Sequence, residues 1–356
     1  MNLYLASTGG FSGKTLLALA LSTIWREGGV SVGYVKPLGK IPAMESGEVV
    51  DGDAMFLARE LGLPGPPESI CPVVITQDLV MAAYRREPLP LHDRVARAVE
   101  RASSGVDVLL IGGTANLRDG IFFGLPPMEI LSSFDCRVLL IDCFDGEKSM
   151  DQVLWAAGLL GNRLLGVVLN RVAPSRASFV REVVRPYFEA GGIRMFGAIP
   201  ADPLMDSVSV GVLAGALSAS VECGSDRLDT MVERFCGGAM DVESALRLFR
   251  RLPRKAVVTG GTRADIQHAA LETDTRCLVL TGGVPPGERI RERAEELGIP
   301  VLVTTEDTMA SLERCEGLLG RLRIRERGKI ERGIRLVREH VDAGGILESL
   351  RGGPCR

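Results

Sequence analysis

The sequence has little of what several classes of catalytic site need. Histidine occurs only at positions 92, 268 and 340, and none of the three stands in a motif, so we expect no histidine base. The 8 cysteines form no C-x-x-C pair, which argues against a zinc site. Cys136 and Cys143 stand within or beside apolar runs, as small core residues do, and the set is typical of a reduced, cytoplasmic protein.

Excess charge and long apolar runs are also missing. The net charge of -3 gives no reason to expect nucleic acid as a partner. No apolar stretch approaches the length of a membrane span, and the N-terminus lacks the basic segment of a signal peptide, so we expect no membrane partner. The chain does have an ordinary globular composition, 46% hydrophobic and 24% charged, over 356 residues, a length that favours two domains.

The most informative segment is a glycine-rich loop near the start of the chain. It lies between an apolar run at 3–6 and a helix-like run at 16–21. The strict pattern G-x-x-x-x-G-K-[ST] begins with glycine, where this chain has Thr8, so the motif is a variant. The backbone amides of such a loop wrap phosphates, and the helix N-terminus adds positive potential. We therefore predict a nucleotide site whose loop residues are Thr8, Gly9, Gly10, Phe11, Ser12, Gly13, Lys14, Thr15 and Leu16.

Two residues of this loop and one beyond it have specific predicted roles. We expect Lys14 to reach the β- and γ-phosphates as a catalytic cation, and the hydroxyl of Thr15 to hold Mg²⁺. A second Mg²⁺ ligand is expected from the acidic segment at 51–54, which precedes a helix. We assign that role to Asp53.

Polar side chains at two strand ends complete the predicted site. Lys36 follows the apolar run at 32–35, and we expect it to point toward the phosphates as the second catalytic lysine. Asn170 follows the run at 166–169, and we expect it to read an adenine edge. Residues 107–114 have the shape of a Walker B strand. Each element alone also fits a plain strand end or cap, but their order after a phosphate loop favours a nucleotide site.

Short apolar runs separated by helix-like segments predict a parallel α/β sheet. In the first part of the chain the predicted strands are 3–6, 32–35, 106–111, 138–141, 164–169 and 195–199, with helices at 55–61 and 89–101 among others. This rhythm stops near 200–203. A second α/β region follows, with strands at 208–213, 256–259, 277–281 and 301–303 and helices at 241–250, 264–272, 287–297 and 308–318. We divide the chain into domains at 1–205 and 206–320, with a helical tail at 321–356.

The second region has its own candidate site. The glycine pairs at 260–261 and 282–283 follow two successive strands and either cluster backbone amides for a ligand or form tight βα turns. Arg263 then either holds an anion or a partner's carboxylate, or braces a neighbouring loop. The tail at 321–340 alternates arginine with isoleucine or leucine, diluted by glutamates, and favours an amphipathic helix that packs on its own domain.

Several of these segments together carry a family resemblance. Residues 6–8 with 12–15, 32–37, 70–74 and 197–202 resemble the dethiobiotin synthetase-like branch of the P-loop NTPases, and more closely the N-terminal half of long phosphotransacetylases. The segments 260–266 and 280–283 resemble the DRTGG domain that follows in that family. The resemblance implies a P-loop NTPase-type parallel sheet with helices on both faces, then a smaller α/β DRTGG-type domain. It also implies ATP and Mg²⁺ as cofactors and a homodimer formed through the second domain.

The chain departs from that family at three positions. Gly112 stands where the family has an acid at the end of its third strand, so we expect ATP turnover to be slow or absent unless another acid, Asp53 or Asp142, takes the role. Residues 38–41 read Leu38-Gly39-Lys40-Ile41 in the stretch where dethiobiotin synthetase has a substrate-holding serine, so ureido-ring closure is not expected. Thr262 replaces the aspartate of the DRTGG motif.

Two functions remain open at this point. One is an ATP-binding regulatory or scaffold protein, without acetyl transfer because the acetyl-transferring domain of the long enzymes is not matched. The other is an ATP-dependent, Mg²⁺-requiring ligase acting on a small carboxylate, in which Lys14 and Lys36 stabilise the transferring phosphoryl group. Substrate-dependent formation of ADP separates them.

Overall fold

The computed structural model describes residues 1–319 and 325–352. They form two compact units, the first containing residues 1–201 and 325–352 and the second residues 202–319. The sequence-based division instead set residues 321–356 apart as a tail. None of the helices within the described ranges is both long enough and apolar enough to cross a bilayer.

The strands of the described residues are β1 Asn2–Ser7, β2 Val32–Val35, β3 Leu38–Gly39, β4 Pro42–Glu45, β5 Glu48–Asp51, β6 Val73–Val74, β7 Val108–Gly112, β8 Arg137–Cys143, β9 Leu164–Val172, β10 Met195–Pro200, β11 Val208–Ser209, β12 Ser220–Cys223, β13 Met231–Val232, β14 Arg234–Gly237, β15 Lys255–Gly260, β16 Thr275–Thr281 and β17 Val301–Val303. The helices are α1 Lys14–Glu27, α2 Gly52–Glu60, α3 Pro67–Ile70, α4 Gln77–Tyr84, α5 Leu91–Ser103, α6 Pro127–Ser133, α7 Glu147–Leu160, α8 Ala177–Phe179, α9 Arg185–Ala190, α10 Pro203–Asp206, α11 Val210–Ala216, α12 Val242–Arg251, α13 Ala264–Leu271, α14 Glu288–Leu297, α15 Thr308–Leu318, α16 Arg327–His340 and α17 Ala343–Arg351.

The first unit is built on a six-stranded sheet of order β10-β9-β8-β1-β7-β2, in which every neighbouring pair is parallel. Its strands are apolar throughout because both faces are covered. In β1, for example, Tyr4 and Ala6 join one core cluster, whereas Leu3 and Leu5 are buried on the opposite face. The predicted fold class, a P-loop NTPase-type sheet with helices on both faces, is confirmed.

The connections place β1 at the centre of the sheet and bring several loops to one edge. The chain moves from β1 to β2 past β7, then returns through β7 and crosses β1 to reach β8. Right-handed crossovers in opposite directions put α1 on one face and α5 and α7 on the other. Because all six strands are parallel, the loops that follow β1, β2, β7, β8 and β9 meet at the carboxyl edge of the sheet.

The last two helices belong to this first unit and cover α1. The indole Nε1 of Trp25 donates to the carbonyl of Ala343 at 2.9 Å, and Arg338 forms a two-pronged ion pair with Glu27 at 2.9 and 2.7 Å. The expected tail helix therefore begins at Arg327 and packs on the phosphate-loop unit. Residues 321–324 and 353–356 lie outside the described ranges.

The second unit is a five-stranded sheet of order β12-β17-β16-β15-β14, parallel except for β12. Its four predicted helices and three of its predicted strands are present. The predicted strand at 208–213 is wrong beyond Ser209, because α11 follows at once. Val210 and Leu213, three residues apart, both enter the core, a helical spacing that a short apolar run does not reveal.

Candidate functional site

The glycine-rich loop joins β1 to α1 at the centre of the carboxyl edge. Gly13 caps the helix with φ of 97°, a left-handed conformation that glycine adopts without strain. A Cβ on Gly13 would lie 2.5 Å from the side-chain nitrogen of Asn170, whereas Gly9 and Gly10 have open space around them. The strand, loop and helix thus follow one another as the sequence predicts, with one side of the loop accessible.

Lys14 lies inside this loop. Its Nζ donates to the hydroxyl of Ser7 at 2.5 Å and lies 3.4 Å from that of Ser12. Burial, together with the positive charge of Lys36, lowers the pKa of Lys14 to about 8, while Asp119 and Asp53 act in the opposite direction. The two lysines proposed from the sequence are therefore electrostatic neighbours, and each favours an anion between them.

Lys36 is buried and paired with an acid that sequence reasoning did not select. Its Nζ donates to Asp51 at 2.7 Å, while Asp53 lies 4.0 Å away. The Asp51 carboxylate also accepts from the backbone amides of Ala54 at 2.9 Å and Ile41 at 3.1 Å, so it caps α2. An aspartate two positions before Asp53, at the start of a helix, was the available signal for this role.

Two predicted cofactor residues contribute to the loop in other ways. Asn170 donates through Nδ2 to the carbonyl of Ser12 at 2.8 Å, and its Oδ1 accepts from the amide of Arg171 at 2.8 Å. The side-chain amide thus braces the phosphate loop, and adenine reading would require these bonds to change. The Leu16 side chain is buried against Gly333 of α16, so only its backbone is placed to contact a nucleotide.

Position 112 has no room for the acid that the resemblance implies. A Cβ on Gly112 would overlap the hydroxyl of Tyr34 and lie 3.0 Å from its Cζ. The Tyr34 ring, which comes from the neighbouring strand β2, is buried, and burial raises the pKa of its hydroxyl. The Tyr34 ring of β2 therefore fills the space in which the resemblance would place a carboxylate at the end of β7.

Two further acids lie at this edge. Asp142, at the end of β8, accepts a hydrogen bond from the hydroxyl of Thr8, and burial raises the pKa of its carboxyl. Asp119, in the loop after β7, accepts from the amide of Ala115 at 3.1 Å and forms an ion pair with Lys40 at 2.9 Å. Sequence reasoning missed Asp119, because no local pattern indicates that this loop folds back toward the site.

The donor set fits Mg²⁺. Thr15 stands in the first turn of α1 beside Lys14, and Asp53 in the first turn of α2 is within ion-pair distance of Lys36. Hydroxyl and carboxylate oxygens are the ligands this ion prefers, usually one or two from protein with the rest from phosphates and water. Within the described ranges no group of three histidine, cysteine or acidic side chains is placed to hold a metal ion.

A pocket of about 330 Å³ opens beside the start of the loop. One wall carries the Trp155 ring of α7, with the guanidinium of Arg118 stacked 4.6 Å from the ring centroid. The residues around it are Ser7, Thr8, Asn116, Leu117, Arg118, Asp151, Gln152, Trp155 and Ala156. The pocket combines an aromatic surface with charges of both signs.

The glycine pairs of the second unit are tight turns. The amide of Gly261 donates to Thr281 at 3.1 Å, and those of Gly282 and Gly283 donate to Glu306 at 3.0 Å and Thr304 at 2.8 Å. These three amides are thus used within the fold, which favours the turn alternative over an amide cluster for a ligand.

Arg263 is likewise engaged within the second unit. Its guanidinium forms a fork on Asp265, with Nε and Nη2 at 2.9 and 3.0 Å from the two carboxylate oxygens. Nη2 also donates to the carbonyl of Met240 at 3.0 Å. This is the bracing role that the sequence left open, and an anion would have to displace Asp265.

The glycine-rich loop lies at the centre of a parallel sheet, with two lysines and several acids at the same edge. This arrangement defines a P-loop nucleotide-binding fold. The chain belongs to the AAA domain family, whose match covers residues 1–209. Residues 212–318 match the DRTGG domain. The expected combination of a P-loop domain and a DRTGG domain is thereby confirmed.

Several individual proteins resemble the chain. The chain is 24% identical over 364 residues to a phosphate acetyltransferase of Pseudomonas aeruginosa, a match that covers 95% of this chain and 50% of that protein. It is 22% identical over 194 residues to the ATP-dependent dethiobiotin synthetase BioD of Methanococcus vannielii, covering 52% and 87%. The chain spans about half the length of the phosphate acetyltransferases that it matches. Among solved structures, the cell division ATPase MinD of Pyrococcus furiosus is 16% identical with a TM-score of 0.35, covering 57% of this chain and 85% of that one.

Proposed function

We propose that this protein is an ATP-binding regulatory or scaffold protein whose nucleotide lies on the loop at residues 8–15. The observation that carries the proposal is the position of Lys14, held inside a glycine loop beside a second lysine, Lys36. Two buried or half-buried cations at a helix N-terminus are suited to a polyphosphate. In this proposal Lys14 and Lys36 hold the phosphates, and Thr15 and Asp53 hold Mg²⁺.

The regulatory rather than catalytic part of the proposal rests on position 112. Because Tyr34 fills the space beside Gly112, that strand end contributes no carboxylate that could activate an attacking group. We therefore expect bound ATP to persist, which suits a protein that reports nucleotide through its conformation. The proposal assigns no acetyl transfer to the described residues, and we place the protein in the cytoplasm.

Nucleotide binding is tested by calorimetry with ATP and ADP, with and without Mg²⁺, on the full chain. We expect Lys14→Ala to abolish binding while leaving the far-ultraviolet circular dichroism unchanged, because Lys14 provides a charge to the phosphates rather than core volume. Lys148→Ala is the matched control, since that lysine is exposed on α7. Unchanged ATP affinity in folded Lys14→Ala would contradict the proposal.

The pocket beside Ser7 and Thr8 favours a second candidate, an ATP-dependent ligase or synthetase acting on a small carboxylate. An acceptor on the Trp155 surface, with its carboxylate at Arg118, would lie next to the phosphate loop. ADP formation that depends on a small carboxylate, and that Lys36→Met removes, would support this candidate. ATP binding without such turnover supports the first.

We also propose that the chain self-associates as a dimer through its DRTGG domain, on the basis of the family match. Because Arg263 is occupied by Asp265 and Met240, this interface need not use its charge. Light scattering of the full chain tests the dimer. A monomer at all accessible concentrations would contradict it.

A further inference from the structure

We propose that Asp119 supplies, from the loop beyond β7, the metal-side carboxylate that position 112 cannot carry, and that Lys40 competes with the metal for it. This inference rests on the proposed nucleotide site. It adds to that site a residue that neither the motif nor the family resemblance indicates. Four observations on the structure carry it.

The first observation is that an acidic side chain does not fit at the end of β7. The space beside Gly112 belongs to the Tyr34 ring, and Gly113 is equally confined, since a Cβ there would lie 2.6 Å from the carbonyl of Leu5. Neither Gly112, which ends β7, nor Gly113, which follows it, can take a carboxylate without moving a buried neighbour. A carboxylate contributed by this segment must therefore come from the loop that follows β7.

The second observation is that the loop after β7 folds back on itself and carries the carboxylate of Asp119. The Asp119 carboxylate accepts from the amide of Ala115 and from Nδ2 of Asn116, both at 3.1 Å. These bonds close the loop on itself over the five residues 115–119. The loop that carries the carboxylate therefore also fixes its position, as is expected of a side chain that binds a ligand.

The third observation is that a short chain of hydrogen bonds connects Asp119 to the phosphate-loop lysine. The carbonyl of Ala115 accepts from the hydroxyl of Ser7 at 2.7 Å, and that hydroxyl accepts from Nζ of Lys14 at 2.5 Å. Asp119 therefore belongs to the same hydrogen-bonded network as the cation that would hold the phosphates.

The fourth observation is that Asp119 and its partner Lys40 are more exposed than Asp142, another acid at this edge. Asp142 is 1% exposed, with Oδ2 fully buried and Oδ1 on the hydroxyl of Thr8, so a hydrated ion cannot reach it without opening the core. The Asp119 side chain is 18% exposed, and its partner Lys40 is 43% exposed. An ion pair this accessible is weak, so a divalent cation beside a polyphosphate can replace the lysine.

The test compares nucleotide affinity with and without metal. A non-hydrolysable ATP analogue is titrated into the full chain in Mg²⁺ and in EDTA, and Mn²⁺ binding to the complex is followed by electron paramagnetic resonance. For Asp119→Asn we expect the ratio of the two affinities to fall on the order of tenfold, with weaker Mn²⁺ binding and unchanged or tighter binding in EDTA. Lys40→Met should raise the ratio, because Asp119 loses its competitor.

The controls separate this inference from the proposed function. Asp135→Asn makes the same change of charge at an exposed acid in the loop before β8 and should leave the ratio unchanged. If Asp119→Asn weakens binding equally in Mg²⁺ and EDTA, Asp119 merely braces its loop and the inference is overturned. If Asp119→Asn does not fold, Lys40→Met decides, and an unchanged or lower ratio overturns the inference. A wild-type protein that binds no nucleotide overturns the proposed function instead.

Discussion

At the scale of single residues, the fit between Gly112 and Tyr34 makes a prediction about packing. Gly112→Ala should lower the free energy of unfolding by about 1–3 kcal/mol, because its methyl group would overlap the Tyr34 hydroxyl. The Tyr34→Phe background should recover part of this loss, which a double-mutant cycle measures by urea unfolding. Gly158→Ala, in a helix position with open space, is the control and should be neutral or stabilising by up to about 1 kcal/mol. An additive cycle would show that Tyr34 does not occupy that space.

The lowered pKa of Lys14 predicts that nucleotide binding takes up a proton at alkaline pH. Below the pKa of about 8 the lysine is already charged, so no proton is needed. Above it the free protein has lost that proton, and a polyphosphate, which favours the charged form, restores it. Calorimetry in buffers of different ionisation enthalpy should therefore show uptake that rises between pH about 7 and about 9. Lys14→Arg, whose guanidinium stays protonated, should bind with no uptake, and uptake that persists in it would assign the proton to another group.

At the scale of elements, α16 and the phosphate-loop helix α1 are in close contact at one glycine. A Cβ on Gly333 would overlap the side chain of Leu16, the second residue after Lys14. Gly333→Ala should therefore lower the free energy of unfolding by about 1–3 kcal/mol and weaken ATP binding by shifting the first turn of α1. Gly328→Ala lies in the same helix with open space and should be neutral or stabilising. Equal stability of the two variants by thermal unfolding would contradict this packing.

The strands, helices and loops also show how much of the structure could be predicted from the sequence. The strands of the parallel sheet were predictable because burial on both faces leaves continuous apolar runs, and the loop between β1 and α1 has a local glycine-lysine pattern. Asp51 caps α2 and Asp53 lies in its first turn, and which of them pairs with Lys36 depends on how β5 leads into α2. Asp119 was unpredictable, since its place depends on a loop folding back on Ala115 and on Lys40 from a distant segment.

At the scale of the whole molecule, the two units have separate sheets and separate hydrophobic clusters among the described residues. All residues proposed to hold nucleotide belong to the first unit, including the helices that pack on α1. The DRTGG match falls within the second. A ligand that binds only one folded unit stabilises that unit and leaves the other unchanged unless the two are coupled.

Calorimetric unfolding of the full chain should accordingly show two transitions, of which nucleotide raises only one. At 100 times its dissociation constant, the nucleotide adds about 2.7 kcal/mol to the free energy of unfolding of the unit that binds it. Lys14→Ala should remove this shift while both transitions remain. Arg263→Ala should lower only the other transition, because it breaks the fork on Asp265 and the bond to Met240 within the second unit. A single transition whose temperature rises with nucleotide would contradict this expectation. It would mean that the two units unfold together and that nucleotide bound at the phosphate loop also stabilises the DRTGG domain.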